Sequence, residues 1–305
     1  MNPNLVLLQS ATMFAMAGGV LALSTYVTLW TGLLSFATVS FAAIGAFTST
    51  WILSNTDLGL VLAIVLSVAV AGVFGLIVGR LFLRLSSHWL ALATVSLVLI
   101  TRVFVVNLGH WTGGSAGEVV PVPLSLAQMT VLLVLVCLVL FLIKRSKFGV
   151  AAATSREDPS VAAALGVPIA RVRVIAFGLS GAIGAVGGTM QASKLSYIGP
   201  DTFYVDLAVT VIASVVLGGA YHWFGSVIGA VVFTGLPVYI SQYITQGQSI
   251  INGVLLLAII VWLPGGLIDP IRWRRFQARR RTRALLRKPQ DEAAVASVTD
   301  AGALR

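Results

Sequence analysis

Charged side chains are the scarcest thing in this chain. They make up 10% of its 305 residues, against about a quarter in an ordinary soluble domain. Hydrophobic residues account for 58% and the mean hydropathy is +0.97. That balance excludes a soluble globular protein and defines a polytopic membrane protein. Cysteine is nearly absent too. The one thiol, Cys137, sits in an apolar run, so a disulfide framework is excluded. No Gly-Lys pair occurs anywhere, which removes the phosphate-binding loop of ATPases. His88, His110 and His222 are scattered near span ends and form no metal-ligand spacing with cysteine or carboxylate. Acids are missing from the apolar runs: Asp206 stands at a span mouth, and Arg102 is the one clear charge inside a span, near its outer end, where it can snorkel. Carriers driven by protons or sodium need a buried ionisable group. Its lack weighs against an ion-coupled secondary carrier of small polar solutes, which stays open as the alternative. The N-terminus, MNPN, lacks the basic region of a cleavable signal, so the first span is expected to serve as the targeting signal. The net charge of +10 does not point to nucleic acid, because the basic residues gather at span ends and in the tail.

What is present is a series of apolar runs near the length of about 20 residues needed to cross a bilayer. They fall at about 5–29, 33–53, 58–79, 89–106, 126–143, 173–192, 206–220, 226–244 and 250–263. The predicted fold class is an all-α polytopic membrane protein of about nine transmembrane helices, with a range of eight to ten. The short seventh and ninth runs are candidates for re-entrant segments. Arg80, Arg84, Lys144, Arg145, Lys147, Arg156, Arg171, Arg173 and nine basic residues within Arg272–Lys288 fall on one side, and Lys194 alone lies in the loops opposite. The positive-inside rule then places the loop 144–173 and the C-terminus in the cytoplasm, and the N-terminus outside. A transmembrane domain is expected over residues 1–268. The tail 269–305 begins basic, with Trp273 and Phe276 suited to anionic lipid, and ends in a small, polar segment read as disordered.

The longest internal loop carries a short helix in its sequence. Asp158 suits the N-cap, Pro159 the first helical position and Gly166 the C′ position. Val161, Ala162, Ala163, Ala164 and Leu165 between them make about two turns, too short to stand alone in water. The helix needs a surface, either lipid, span ends or a partner's groove, and Ala162 and Leu165 are placed on the apolar face that a groove would bury. The sixth span carries Gly178, Gly181, Gly184, Gly187 and Gly188 at spacings of three and four, which let helices approach closely. The spans offer hydroxyls and no fixed acids, which suits a neutral or zwitterionic solute. Ser35, Ser40, Thr94 and Ser96 are the pathway candidates. One enzymatic reading also arises: GLSGAIGA is similar to the serine motif of rhomboid intramembrane proteases, with Ser180 as nucleophile and His222 as base. Against it, serine in a glycine-rich helix commonly bonds its own backbone.

The central run REDPSVAAALGVPIARVRVIAFGLSGAIGAVGG resembles the coupling loop of the branched-chain amino acid permeases of ABC importers, through Arg156, Glu157, Asp158, Ala162, Gly166, Val167, Arg171, Ser180 and Gly187. Further blocks agree in order: Thr31–Phe47 through Gly32, Ser35, Phe41, Gly45 and Ala46, WTGGSAG at Trp111–Gly117, and later Tyr197, Pro200, Phe203, Gly218, Gly219, Gly225, Gly229, Ala230, Pro264 and Leu267. The WTGGSAG block is similar to the LivM branch of the family rather than its LivH sister. The chain departs from the pattern at Ala37-Thr38, Ala116, Val150, Ala153, Pro159 and Tyr221-His222. The resemblance implies a non-enzymatic permease subunit in the inner membrane of a prokaryote. It would pair with a sister permease, identical or homologous, with two cytoplasmic ATPases that bind ATP and Mg, and with an extracytoplasmic solute-binding protein. This chain would hold no cofactor of its own. Arg156, Glu157, Asp158, Pro159, Ala162, Leu165 and Gly166 would couple to the ATPase. The substrate is left open among branched-chain amino acids, urea and amides.

Overall fold

The computed structural model describes residues 3–219 and 222–235, and the single positions 237 and 253. The ninth run apart from position 253, the latter part of the eighth and the basic tail lie outside the described residues. In chain order the helices are α1 (Pro3–Trp30), α2 (Thr38–Asn55), α3 (Leu60–Leu81), α4 (Ser87–Asn107) and the single turn α5 (Gly109–Thr112). After a 3-10 turn at Gly114–Ala116 and strand β1 (Glu118–Val119) come α6 (Leu126–Arg145), α7 (Lys147–Glu157), α8 (Pro159–Ala164) and α9 (Ile169–Leu195). Strand β2 (Tyr197–Ile198), α10 (Val205–Gly218) and α11 (Trp223–Ala230) follow, and α11 runs on as a π-helical turn over Val231–Gly235. Among the described residues five helices, α1, α3, α4, α6 and α9, are long and apolar enough to cross a membrane.

α9 is the hub. It packs on α1, α2 and α3, and its glycines are where the backbones meet. Along α3 the buried small residues Ser67, Ala71, Gly75 and Gly79 repeat every fourth position. A Cβ on Gly75 would run into the Phe177 carbonyl, and one on Gly181 into the Ala71 carbonyl. Against α2, Gly188 lies on the Ala42 carbonyl and Gly45 on the Ala185 backbone, while Gly187 sits against Leu21 of α1 and Gly184 between Ser24 and Phe41. The glycines of α9 therefore serve three neighbours rather than one. With lipid tails as apolar as leucine, such close packing is what holds membrane helices together.

Two expectations on helix limits change. The second run begins as a helix only at Thr38: residues 31–37 are a turn followed by irregular chain, with Gly32 at φ +82°. The loop between the fifth and sixth runs holds two helices, because α7 precedes the short one. α7 is nearly as polar as apolar, but Gly149, Ala152 and Ser155 give it a buried side. α10 has 14 residues, about 21 Å of helix at 1.5 Å per residue, against a hydrocarbon core of about 30 Å. It turns back into α11 with the two backbones in close contact, where Gly218 lies against the Gly225 carbonyl and Gly229 against the Ser214 carbonyl.

The connections sort to two ends. At one, Trp30 meets Phe148 edge-on at 6.2 Å, and Lys144 Nζ lies 3.3 Å from His222 Nδ1. The other end carries the antiparallel β1–β2 pair, the stacked Trp51 and Trp111, and the ion pair of Arg102 with Asp201 at 2.8 Å. Arg102 thus reaches out of its span to a partner on the α9–α10 connection. Arg80, Arg84, Lys144, Arg145, Lys147, Arg156, Arg171 and Arg173 all belong to the first end.

Candidate functional site

The arm α7–α8 is built by local sequence. Ser146 ends α6, Gly149 tucks against the Ile143 and Lys144 carbonyls, and α7 turns away from the span. At its end Asp158 leaves helical geometry and accepts hydrogen bonds from Val161 N at 3.1 Å and Ser160 N at 2.8 Å. Those bonds hold its carboxyl below the ordinary aspartate range. Pro159 follows at the first helical position. Gly166, at φ +83°, closes the helix, its N–H bonding the Ala163 carbonyl and Val167 N the Ala162 carbonyl, each at 3.0 Å. The predicted short helix and both of its caps are in place.

Its faces differ from the expectation. Ala162 is fully buried and packs within this chain, so it is not part of a surface that a partner can cover. A residue three before the C-cap of so short a helix must face whatever the helix lies on, and here that is the chain itself. Val161 at 54% and Leu165 at 73% exposure are the large apolar side chains left outside, with Glu157, Asp158, Pro159, Ala163, Ala164 and Gly166 also exposed.

The arm sits on the break in the second run. A Cβ on Gly32 would lie 3.3 Å from Arg156 Cα, so the end of α7 rests on the turn after α1. The irregular segment beyond that turn is enclosed, with Leu33, Ser35 and Ala37 buried. Unwound backbone inside a membrane protein needs polar partners. α4 supplies them: Phe36 N donates to Thr94 Oγ1 at 3.0 Å, Leu34 N to Ser87 Oγ at 3.4 Å, and Ser87 Oγ donates to the Gly32 carbonyl at 3.4 Å. Ser35 Oγ accepts from Ala37 N at 3.2 Å. Ser35 and Thr94 are thereby brought together around the break. Ser40 lies a turn into α2, buried and without a hydrogen-bond partner among the described residues. Ser96 is not part of this group: it is exposed on the far side of α4 and bonds its own Leu92 carbonyl at 3.2 Å. Ser87 is the site residue that sequence reading missed, while Gly32 was read only as part of the family resemblance. The signal for Ser87 was faint, a serine at a helix start among other serines.

Ser180 is a buried packing residue, with its hydroxyl turned to a neighbouring helix rather than to its own backbone. Its hydroxyl is 3.0 Å from Ser24 Oγ of α1, and Ser24 donates to the Ser180 carbonyl at 2.7 Å. Thr38 joins the cluster, accepting from Ser24 at 3.2 Å and Thr25 at 2.8 Å. Ser180 is fully buried beside hydroxyls, and His222 Nδ1 faces Lys144 at the basic end. A nucleophile needs its base within hydrogen-bond reach, and here Ser180 is bonded to another serine.

An all-α membrane protein with a bent second span and a capped helix exposed on its longest loop is the class that this geometry defines. Residues 7–262 match the family described as the permease component of branched-chain amino acid transport systems, and the chain belongs to that family. It is 28% identical over 276 residues to the high-affinity branched-chain amino acid permease protein LivM of Salmonella typhimurium and 26% identical to that of Escherichia coli. Each alignment takes in 79% of this chain and 65% of the relative. A xylose/arabinose import permease of Sulfolobus acidocaldarius is 29% identical over 213 residues, covering 66% of this chain and 55% of that protein. The chain thus spans somewhat less than two thirds of the relatives it matches. No solved structure matches it.

Proposed function

We propose that this chain is the membrane-spanning subunit of an ATP-driven importer of small neutral or zwitterionic solutes, branched-chain amino acids first among them. The observation that carries the reading is the α7–α8 arm: a doubly capped short helix with Val161 and Leu165 exposed, resting through Arg156 on the break that opens the second span. A groove on a cytoplasmic ATPase would take that helix. Its movement would reach Gly32 directly and then the segment 33–37, whose backbone is held by two hydroxyls of α4. The energy for shifting the spans must come from a partner that binds their two arrangements unequally, since this chain has no nucleotide motif. A sister permease and an extracytoplasmic binding protein complete the assembly, and the arm end faces the cytoplasm.

The names of the relatives support amino acids over sugars by coverage, 79% of the chain against 66%. The apolar enclosure without fixed acids also suits a solute delivered already selected. The test is uptake into vesicles holding this chain with its sister permease, ATPases and binding protein. ATP-dependent uptake of leucine, isoleucine or valine is expected. Uptake that follows an ion gradient and ignores ATP would sink the reading, and uptake of a pentose alone would move the substrate class.

A further inference from the structure

A cavity of ≈ 400 Å³ opens between α3 and α4 near the end that carries the β1–β2 pair. Its floor is α2, through Ala43, Phe47 and Trp51, and its walls are Val70 of α3 and Thr101 and Phe104 of α4. We infer that this slot holds one acyl chain of a phospholipid from the leaflet on that side.

Four observations point to that occupant. The lining is almost wholly apolar, and the hydroxyl of Thr101 is spent on its own Leu97 carbonyl at 2.8 Å. The hydroxyl of Thr112 is likewise spent, on the Val105 and Leu108 carbonyls. The space is well above the ~150 Å³ that holds a benzene ring in an engineered dry cavity, so it accepts a run of methylenes. The helix faces beside the slot are the type of surface that lipid touches: Val73, one turn from Val70 on α3, and Ile100 and Val103, next to Thr101 and Phe104 on α4, are exposed. A sister helix packing here would meet large side chains, whereas membrane helix contacts are built on small ones. The small residues of α3 are already used on α9. Finally, Trp51 and Trp111 stack at 4.3 Å at the mouth, the pairing of apolar ring and polar N–H that favours the headgroup level. An acyl chain lying in the slot with its headgroup beside those rings fits both ends.

The experiment uses the purified full-length chain and dibrominated phosphatidylcholine, whose bromines quench tryptophan on contact. Wild type is expected to keep one phospholipid per chain through detergent washing, read by native mass spectrometry, and Trp51 and Trp111 are expected to be quenched by brominated lipid that unlabelled lipid displaces slowly. Thr101→Phe fills the slot and should lose both the retained lipid and the slow quenching. Val134→Phe, on the exposed face of α6, should keep both. If Thr101→Phe does not insert, the slow exchange at Trp51 and Trp111 in wild type decides alone, with Trp51→Phe and Trp111→Phe identifying the rings. Retention of detergent or free fatty acid only, fast exchange of every quencher, or equal retention in Thr101→Phe and wild type would overturn the site. So would a cross-link from Phe104→Cys to the sister permease.

Discussion

Single side chains in this protein divide by what a substitution would strike. Ser180 and Gly188 lie two turns apart on the same helix, both fully enclosed. Removing the Ser180 hydroxyl leaves Ser24 still donating to the Ser180 carbonyl at 2.7 Å, so Ser180→Ala forgoes one hydrogen bond of a bifurcated set, about 1 kcal/mol. Gly188→Ala places a methyl on the Ala42 carbonyl. Backbone cannot rotate aside as a side chain does, so α2 and α9 must separate, at a cost of about 1–3 kcal/mol or more. The expected result is a melting temperature in detergent close to wild type for Ser180→Ala with uptake retained, and a clear fall for Gly188→Ala. The same pair bears on proteolysis: labelling of Ser180 by a fluorophosphonate probe, abolished in Ser180→Ala, would contradict its place among buried hydroxyls.

At the scale of elements, the sequence reads well where the signal is local and poorly where it depends on neighbours. The caps of α8 were legible because Asp158, Pro159 and Gly166 each act on their own backbone. α7 was not, because KFGVAAATSRE carries little periodicity and is helical by virtue of the surface under Gly149, Ala152 and Ser155. The late start of α2 was equally hidden: Leu33 and Leu34 continue the apolar run, and only the hydroxyls of α4, some 55 residues on in the chain, make an unwound backbone acceptable there. The inward turn of Ala162 follows from the same tertiary packing. It changes which substitution probes coupling. Leu165→Glu alters a side chain exposed at 73%, so insertion and melting should match wild type while ATP-driven uptake falls. Ala162→Glu buries a charge inside the chain and should destabilise the arm itself. Equal uptake by Leu165→Glu and wild type in reconstituted complexes would remove α8 from the coupling path.

Across the whole molecule, charge and hydrophobic length act together. Among the described residues five apolar helices have the length to cross a bilayer, whereas α10 and α11 are apolar but shorter, and α2 is held by its packing on α3 and α9. The basic residues of the described segments collect at the end where α7 and α8 project, while the opposite end holds Asp57, Glu118, Asp201 and Asp206 with Arg102 and Lys194. Partial burial pushes the Glu118 carboxyl upward, offset by a hydrogen bond with Ser54. Lys and Arg beside span ends stay on the cytoplasmic side during insertion, so the arm end should face inward and the β1–β2 end outward. Single cysteines at Leu165 and Val119, both well exposed at 73% and 68%, test this in a Cys137→Ala background with an impermeant maleimide on intact cells. Labelling is expected at residue 119 in intact cells and at residue 165 only after the membrane is opened. The reverse pattern would invert the protein and remove the arm from any cytoplasmic ATPase. Labelling of both from outside would mean that the loop 144–173 crosses the membrane, which the eight basic residues at its end of the molecule oppose.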